Sequence, residues 1–417
     1  MITELKIENY KSIQDLTLEV GRVNVLIGEN GCGKSNILEA ITFAAAAEAN
    51  KLDNEFLFNR GIRVTEPKLM RSAFEINQQD IIKIRLVAAL NNIGGVQTYT
   101  LKNDNKPYST WVCDEKLEEQ RNLKLLEKID WDKIKARINE DDIPEDYDEE
   151  AIERAFLTLA NTKNKFHKFL IYSPENTMLR DFSKEANIEP LGDKGEGLLK
   201  LLIYTQHEAK QSQDFNELND IKETLELFGW YESIVIPNDF SQLEKKITIQ
   251  DRYLGIPFDQ RSANEGFLLV LFYITLVVSK YTPKIFAIDN LDTSLNPKLC
   301  TKLIKELARL AKKYDKQMFV TTHNPAILDG IDLGDEEQRL FVVSRNDDGH
   351  TCCDRITLKD KPKSSTRAKI SRVFKNNEDS ELFSKQDILN KFDDSEEPLK
   401  LSEALLRGYL GGLPEGF

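Results

Sequence analysis

A chain of 417 residues, 40% hydrophobic and 30% charged, has the composition of an ordinary soluble protein, with length for two or three domains. Its net charge of −13 argues against general wrapping around nucleic acid, which rests on cations neutralising phosphates. The longest apolar run, Gly266 to Ser279, is shorter than the ~20 residues that cross a bilayer and reads as a buried helix.

Five cysteines without framework spacing, and four histidines that never join them at zinc-ligand intervals, predict no metal cage. The opening Met1 to Ser12 has neither a basic leader nor an apolar core, so the expected location is cytoplasmic, with no membrane partner.

In chain order, two alternating strands at Ile2 to Ile7 and Leu16 to Val20 precede a β-branched run, Val23 to Ile27. A glycine-rich turn and a helical pattern, Asn36 to Ala47, follow, and strands are expected at Ile81 to Leu90 and Val96 to Leu101. These make residues 1–113 a first lobe. Residues 114–168 turn strongly charged with helical periodicity and an acidic stretch at Glu140 to Glu150, predicting a helical insertion. A return strand falls in 169–186, and 187–251 reads as a second helical insertion, with helices at Gly197 to Ala209 and Phe215 to Phe228. The α/β pattern resumes over 252–345 with apolar strands at Ile285 to Ile288 and Met318 to Thr321. The tail, 346–417, carries a basic run from Lys359 to Lys375, which is either a solvated loop or a local DNA contact, and closes with a short amphipathic helix, Leu401 to Tyr409.

The chemistry-bearing motif is Gly28-Glu29-Asn30-Gly31-Cys32-Gly33-Lys34-Ser35, which lies between a predicted strand and a predicted helix, as a P-loop requires. Its glycines let backbone N–H groups of Asn30, Gly31, Cys32, Gly33 and Asn36 approach phosphates. Lys34 would reach the β- and γ-phosphates of ATP, and the Ser35 hydroxyl would ligate Mg²⁺. Asp289, ending the strand Lys284 to Ile288, supplies the second magnesium ligand. Taken alone such an aspartate is a turn or cap residue. Its setting changes that reading, because Asn290-Leu291-Asp292-Thr293-Ser294-Leu295-Asn296-Pro297 follows it and a further strand ends in Thr322-His323.

In this order the motifs resemble those of ABC-type ATPases of the RecF, SMC and Rad50 group, an AAA-family, OLD-like set. The likeness covers the two lobes and leaves both insertions unexplained. It implies an α/β P-loop NTPase fold of ABC/SMC-head type, a mixed sheet in two lobes with helical insertions. It also implies a head-to-head dimer in which Ser262, with Asn264 and Glu265, caps the ATP of the other copy. Asn264 stands where the group has glycine, and without the neighbouring motifs Ser262 reads as a helix N-cap. By the same likeness Lys11 lies near the phosphates and His323 contacts the γ-phosphate.

The informative departure is Asn290, which occupies the place of the glutamate that deprotonates the attacking water. An amide cannot take that proton, so either ATP is held long and spent slowly, or another group, Asp292 among them, serves as base. The variant Asp289-Asn290-Leu291-Asp292, the strand end Tyr172-Ser173-Pro174-Glu175-Asn176 and the closing Arg407 to Pro414 resemble the ATPase subunit of Septu-type antiphage defence systems. That likeness implies a higher oligomer and a separately encoded HNH nuclease as partner, with no nuclease site in this chain.

Overall fold

The computed structural model describes residues 1–74, 80–90, 93–106, 108–117, 166–182, 190–238, 246–358, 400–407 and 410. The predicted helical insertion at 114–168, apart from its two ends, and the basic run at 359–375 lie outside them, as does most of the closing segment from Arg407 to Pro414.

Three sheets organise the described residues. The first is antiparallel, in the order β2-β1-β4-β5-β6, from β1 (Ile2–Tyr10), β2 (Ile13–Glu19), β4 (Ile81–Leu90), β5 (Ile93–Lys102) and β6 (Val112–Cys113). The second has the order β14-β13-β3-β12-β11-β7, built from β3 (Val23–Gly28), β7 (Ile171–Tyr172), β11 (Ile285–Ile288), β12 (Gln317–Thr322), β13 (Gln338–Arg345) and β14 (Thr351–Ile356). Its neighbours run parallel except for the β13/β14 hairpin.

The second sheet is covered on both faces, so β3, β11 and β12 are buried at almost every position rather than at alternate ones, Asn24, Gln317, Thr321 and Thr322 included. Its period-two geometry divides two cores. Val25, Ile27, Ile288, Val320 and Val342 face one cluster; Leu26, Ala287, Phe319, Phe341 and Val343 face the other. The latter cluster holds α1 (Lys34–Glu48), whose residues from Ile37 to Ala47 are all buried because the helix lies between the second sheet and the antiparallel one.

The short helices α2 (Asn54–Phe58) and α3 (Pro67–Met70) connect α1 to β4, and α4 (Asn176–Arg180) follows β7. The other core is built from α5 (Leu198–Ser212), α6 (Asn216–Leu225), α7 (Glu265–Val278) and α8 (Pro297–Lys313). Every residue of α7 from Phe267 to Val278 is buried, as the apolar run predicts, and among the described residues no helix is long and apolar enough to cross a membrane. The last helix, α9 (Leu401–Leu406), is shorter than expected and docks where Ser402 Oγ donates to Asp329 Oδ2 at 2.6 Å.

The expectation of a helical insertion at 187–251 needs correction in the part that follows its two helices. After α5 and α6 the chain forms β8 (Tyr231–Val235) and β9 (Thr248–Asp251), which join β10 (Phe258–Asp259) in a three-stranded antiparallel sheet. The physical reason is a period-two pattern: Ile234 and Ile236, and Ile247 and Ile249, are buried two residues apart, and a register shift between Tyr231 and Ser233 brings Tyr231 into the same core. This small sheet braces the start of α7, since the rings of Phe228, Trp230 and Tyr231 lie 5.4, 5.2 and 5.9 Å from that of Phe267.

Candidate functional site

Strands β3, β11, β12 and β13 all run toward the same edge, and the residues just beyond their carboxyl ends meet there, the usual place for a site in an open α/β sheet. From β3 the chain passes through Glu29 to Gly33 into α1. Gly33 has φ 112°, and a β-carbon there would come within 2.1 Å of Thr351 Oγ1, so only glycine fits. The loop borders a cleft of about 300 Å³ lined by Asn30, Gly31, Lys34, Ser35, Asn290 and His323, with Gly33, Asn36, Arg63 and Arg345 completing it.

Lys34 Nζ folds back over the loop, donating to Gly28 O at 2.8 Å and Glu29 O at 2.7 Å. Burial pulls its pKa below the usual lysine value, a penalty that an anion in the cleft would offset. His323 Nδ1 lies 3.5 Å from Lys34 Nζ. Partial burial, then the Lys34 charge, lowers the imidazole pKa and so favours the neutral ring.

Ser35 Oγ sits 3.3 Å from Asp289 Oδ2 and 3.4 Å from Oδ1. The Thr321 hydroxyl donates to Asp289 and accepts from Asn290 N at 2.8 Å, fixing both residues against β12. A serine hydroxyl beside one carboxylate is the partial donor set of a small hard cation that takes its remaining ligands from phosphate and water. Among the described residues no group of three or more His, Cys, Asp or Glu side chains forms a self-sufficient metal cage.

Asn290 faces the cleft with φ 55°, a left-handed conformation that asparagine tolerates better than most residues. Asp292 does not line the cleft. Its Oδ1 accepts from Thr322 Oγ1 at 2.7 Å and His323 N at 3.3 Å, so this carboxylate pins the end of β12.

Lys11 lines an adjoining cleft of about 420 Å³ rather than the loop cleft itself. Its Nζ is ion-paired with Glu39 and donates to Arg63 O at 3.0 Å. Glu39, 1% exposed in α1, also accepts from Arg63 Nε at 2.5 Å and Tyr10 OH at 3.2 Å. Arg63 Nη2 in turn donates to Asn36 Oδ1 at 2.9 Å, and Asn36 Nδ2 to Ser12 Oγ at 2.6 Å. This network bolts the antiparallel sheet to α1. Replacing Glu39 with alanine leaves the largely buried Lys11 without a counter-charge. It should destabilise the fold by about 3 kcal/mol, read as a lower midpoint of chemical unfolding at unchanged slope.

Ser262, Asn264 and Glu265 stand at the tip of α7, and none of them lines the cleft. Ser262 and Asn264 are exposed. Asn264 Oδ1 accepts from Phe267 N at 2.8 Å as the N-cap, with φ −69°, so glycine is not required there. Arg180 holds the preceding loop, with Nη1 donating to Arg261 O at 2.5 Å and Gln260 O at 3.3 Å.

Sequence reasoning missed Glu39, Arg63, Thr321 and Arg345. Only Glu39 carried a signal, an acid on the apolar stretch Ile37 to Ala47.

The fold and this site define a P-loop ATPase of RecF/SMC-like type, with an SMC-head architecture. The chain belongs to the AAA family described as "AAA domain, putative AbiEii toxin, Type IV TA system", whose profile matches residues 23–329. The DNA replication and repair protein RecF of Bacillus cytotoxicus is 42% identical over 55 residues, 13% of this chain and 15% of that protein. RecF of Staphylococcus haemolyticus is 44% identical over 52 residues, 12% of this chain and 14% of that protein. The aligned part thus spans a small fraction of these relatives. A solved SMC head bound to the C-winged helix domain of ScpA has a TM-score of 0.54 at 14% identity, covering 86% of this chain and 98% of that one, a likeness of fold.

Proposed function

We propose that this chain binds ATP with Mg²⁺ and serves as the nucleotide-gated scaffold of an antiphage defence complex of Septu type, restraining a separately encoded HNH nuclease. The observation that carries the nucleotide reading is the cleft that Lys34 and Ser35 line beside the glycine loop, with Asp289 behind the Ser35 hydroxyl. Ser35 Oγ and an Asp289 oxygen would hold Mg²⁺, which would supply Lewis acidity toward a phosphate chain. The adjoining cleft, with the apolar side chains of Leu69, Ala73 and Phe74, offers room for the nucleoside.

The exposed tip of α7 supports a two-copy arrangement. Ser262 and the positive end of a helix dipole face outward and do not line their own chain's cleft, so a second copy would receive them on its nucleotide. Higher assembly and the nuclease partner rest on the sequence likeness at Asp289 to Asp292, while the related SMC head is one that binds a protein partner. Light scattering of the purified chain with and without ATP·Mg²⁺ tests the scheme: mass should at least double with nucleotide, and a monomer in both conditions sinks it. Co-purification of the native operon tests the nuclease partner, and its absence removes the Septu assignment while leaving the ATPase.

The 55-residue RecF match favours a second reading, a DNA-repair ATPase stimulated by duplex DNA. Asn290 in the cleft and the net charge of −13 weigh against it. ATPase rates with and without duplex DNA separate the two.

A further inference from the structure

The last rung of the β13/β14 hairpin pairs Arg345 with Thr351, and two residues earlier Val343 pairs with Gly28 at the start of the glycine loop. Both members of that rung reach onto the loop. Thr351 Oγ1 donates to Cys32 O at 2.9 Å, and Arg345 Nε donates to Gly31 O at 2.8 Å. A loop that offers its N–H groups to an anion must turn its carbonyls the other way, and these turned-out carbonyls need donors. The hairpin supplies two of them.

Arg345 spends only Nε on that task. Its side chain is exposed, lines both the 300 Å³ cleft and the adjoining 420 Å³ cleft, and is paired with no carboxylate among the described residues. The other arginine lining the 300 Å³ cleft, Arg63, is committed through Nε to Glu39 and through Nη2 to Asn36. Arg345 is thus a guanidinium pinned at one nitrogen, with its terminal Nη groups uncommitted among the described residues at the junction of the two clefts. A planar fork of this kind suits bidentate contact with phosphate oxygens.

We propose that Arg345 is a phosphate-binding residue of this site, closing from the β13 side on the phosphate chain of a nucleoside triphosphate that Lys34 reaches from α1. The inference rests on the reading that the cleft takes ATP. It assigns the hairpin two roles, holding the loop open and contacting the ligand.

The test is calorimetric titration of the full chain with ATP·Mg²⁺ and with AMP, for wild type, Arg345→Ala, Arg345→Lys and Lys34→Ala. Arg345→Ala should weaken ATP about 10- to 100-fold and change AMP, which lacks the β- and γ-phosphates, much less. Arg345→Lys should recover part of the loss, because it restores charge without the fork. Unchanged ATP affinity in Arg345→Ala, alongside a loss in Lys34→Ala, overturns the proposal and leaves the nucleotide reading standing. An equal loss for ATP and AMP overturns it too, because the arginine then only shapes the loop. Failure of the wild-type chain to bind ATP removes the nucleotide reading and the role of Arg345 with it.

Discussion

Lys34→Ala is expected to weaken ATP binding by about 100-fold or more, since each hydrogen bond to a charged phosphate contributes about 1.5–3 kcal/mol and the ammonium donates more than one. The side chain is 5% exposed and folds back onto Gly28 O and Glu29 O, so it is prepaid in conformation and has only to exchange carbonyl partners for phosphate. Its removal leaves those carbonyls at an open cleft where water reaches them, so the fold should lose little. Thermal unfolding reads the difference. A ligand at 100 times its dissociation constant adds about 2.7 kcal/mol to stability, so ATP·Mg²⁺ should raise the wild-type midpoint and leave that of Lys34→Ala in place. An equal ATP-induced rise in both proteins would show that the nucleotide binds elsewhere.

The parts of this site that were legible in the sequence are those written in adjacent residues. Gly28 to Ser35 is a local pattern, and the strand before it and helix after it follow from hydrophobic periodicity, so β3 and α1 appear within a residue or two of expectation. Asp289 and Thr322-His323 were legible for the same reason: each ends a short buried strand of one parallel sheet. Glu39, Arg63 and Arg345 were not, because their roles arise from pairings across the fold. Arg345 meets Gly31 from 314 positions away, and nothing near it in sequence marks the contact. Lys11, which a likeness puts near the phosphates, is ion-paired with a buried acid of α1 and lines the neighbouring cleft, a partnership that its local sequence does not announce. The small sheet of β8, β9 and β10 was hidden because its strands, of five, four and two residues, are too short for alternation to outweigh the helical patterns before them.

The edge of the parallel sheet also joins the two ends of the proposed ATP contact. From Asp289 the chain runs through Asn290 to Leu295, tightened where Thr293 N donates to Asn290 O at 3.1 Å and Leu295 N to Asp292 O at 3.2 Å. It then lies against the start of α7, so that a β-carbon on Gly266 would meet Ser294 O at 3.2 Å. The segment that carries the cleft-facing amide therefore touches the helix tip that a second copy would receive. On the proposed reading, a change at Asn290 would be transmitted over a short distance to the surface that a second copy would meet.

Asn290→Glu is accordingly the substitution with the most to reveal. It supplies a carboxylate at the position facing the cleft, and a positioned general base typically contributes on the order of 10²- to 10⁴-fold to a rate. Two local facts pull against the gain. Asn290 holds φ 55°, where a longer L-residue costs about 1–2 kcal/mol, and its N–H is fixed on Thr321, so the backbone cannot relax without loosening Asp289 as well. The expected result is turnover raised by on the order of 10²-fold at saturating ATP·Mg²⁺, measured as phosphate release, together with a lower unfolding midpoint. If the wild-type chain already turns over at about 10 s⁻¹, an ordinary enzymatic rate, and Asn290→Glu is no faster, then asparagine is not what limits hydrolysis and a scaffold held by slowly spent ATP is the wrong description. If the rate rises as expected, the ATP-dependent doubling of mass should become transient in the variant while persisting in the wild type, because the same bound triphosphate both bridges the copies and is consumed.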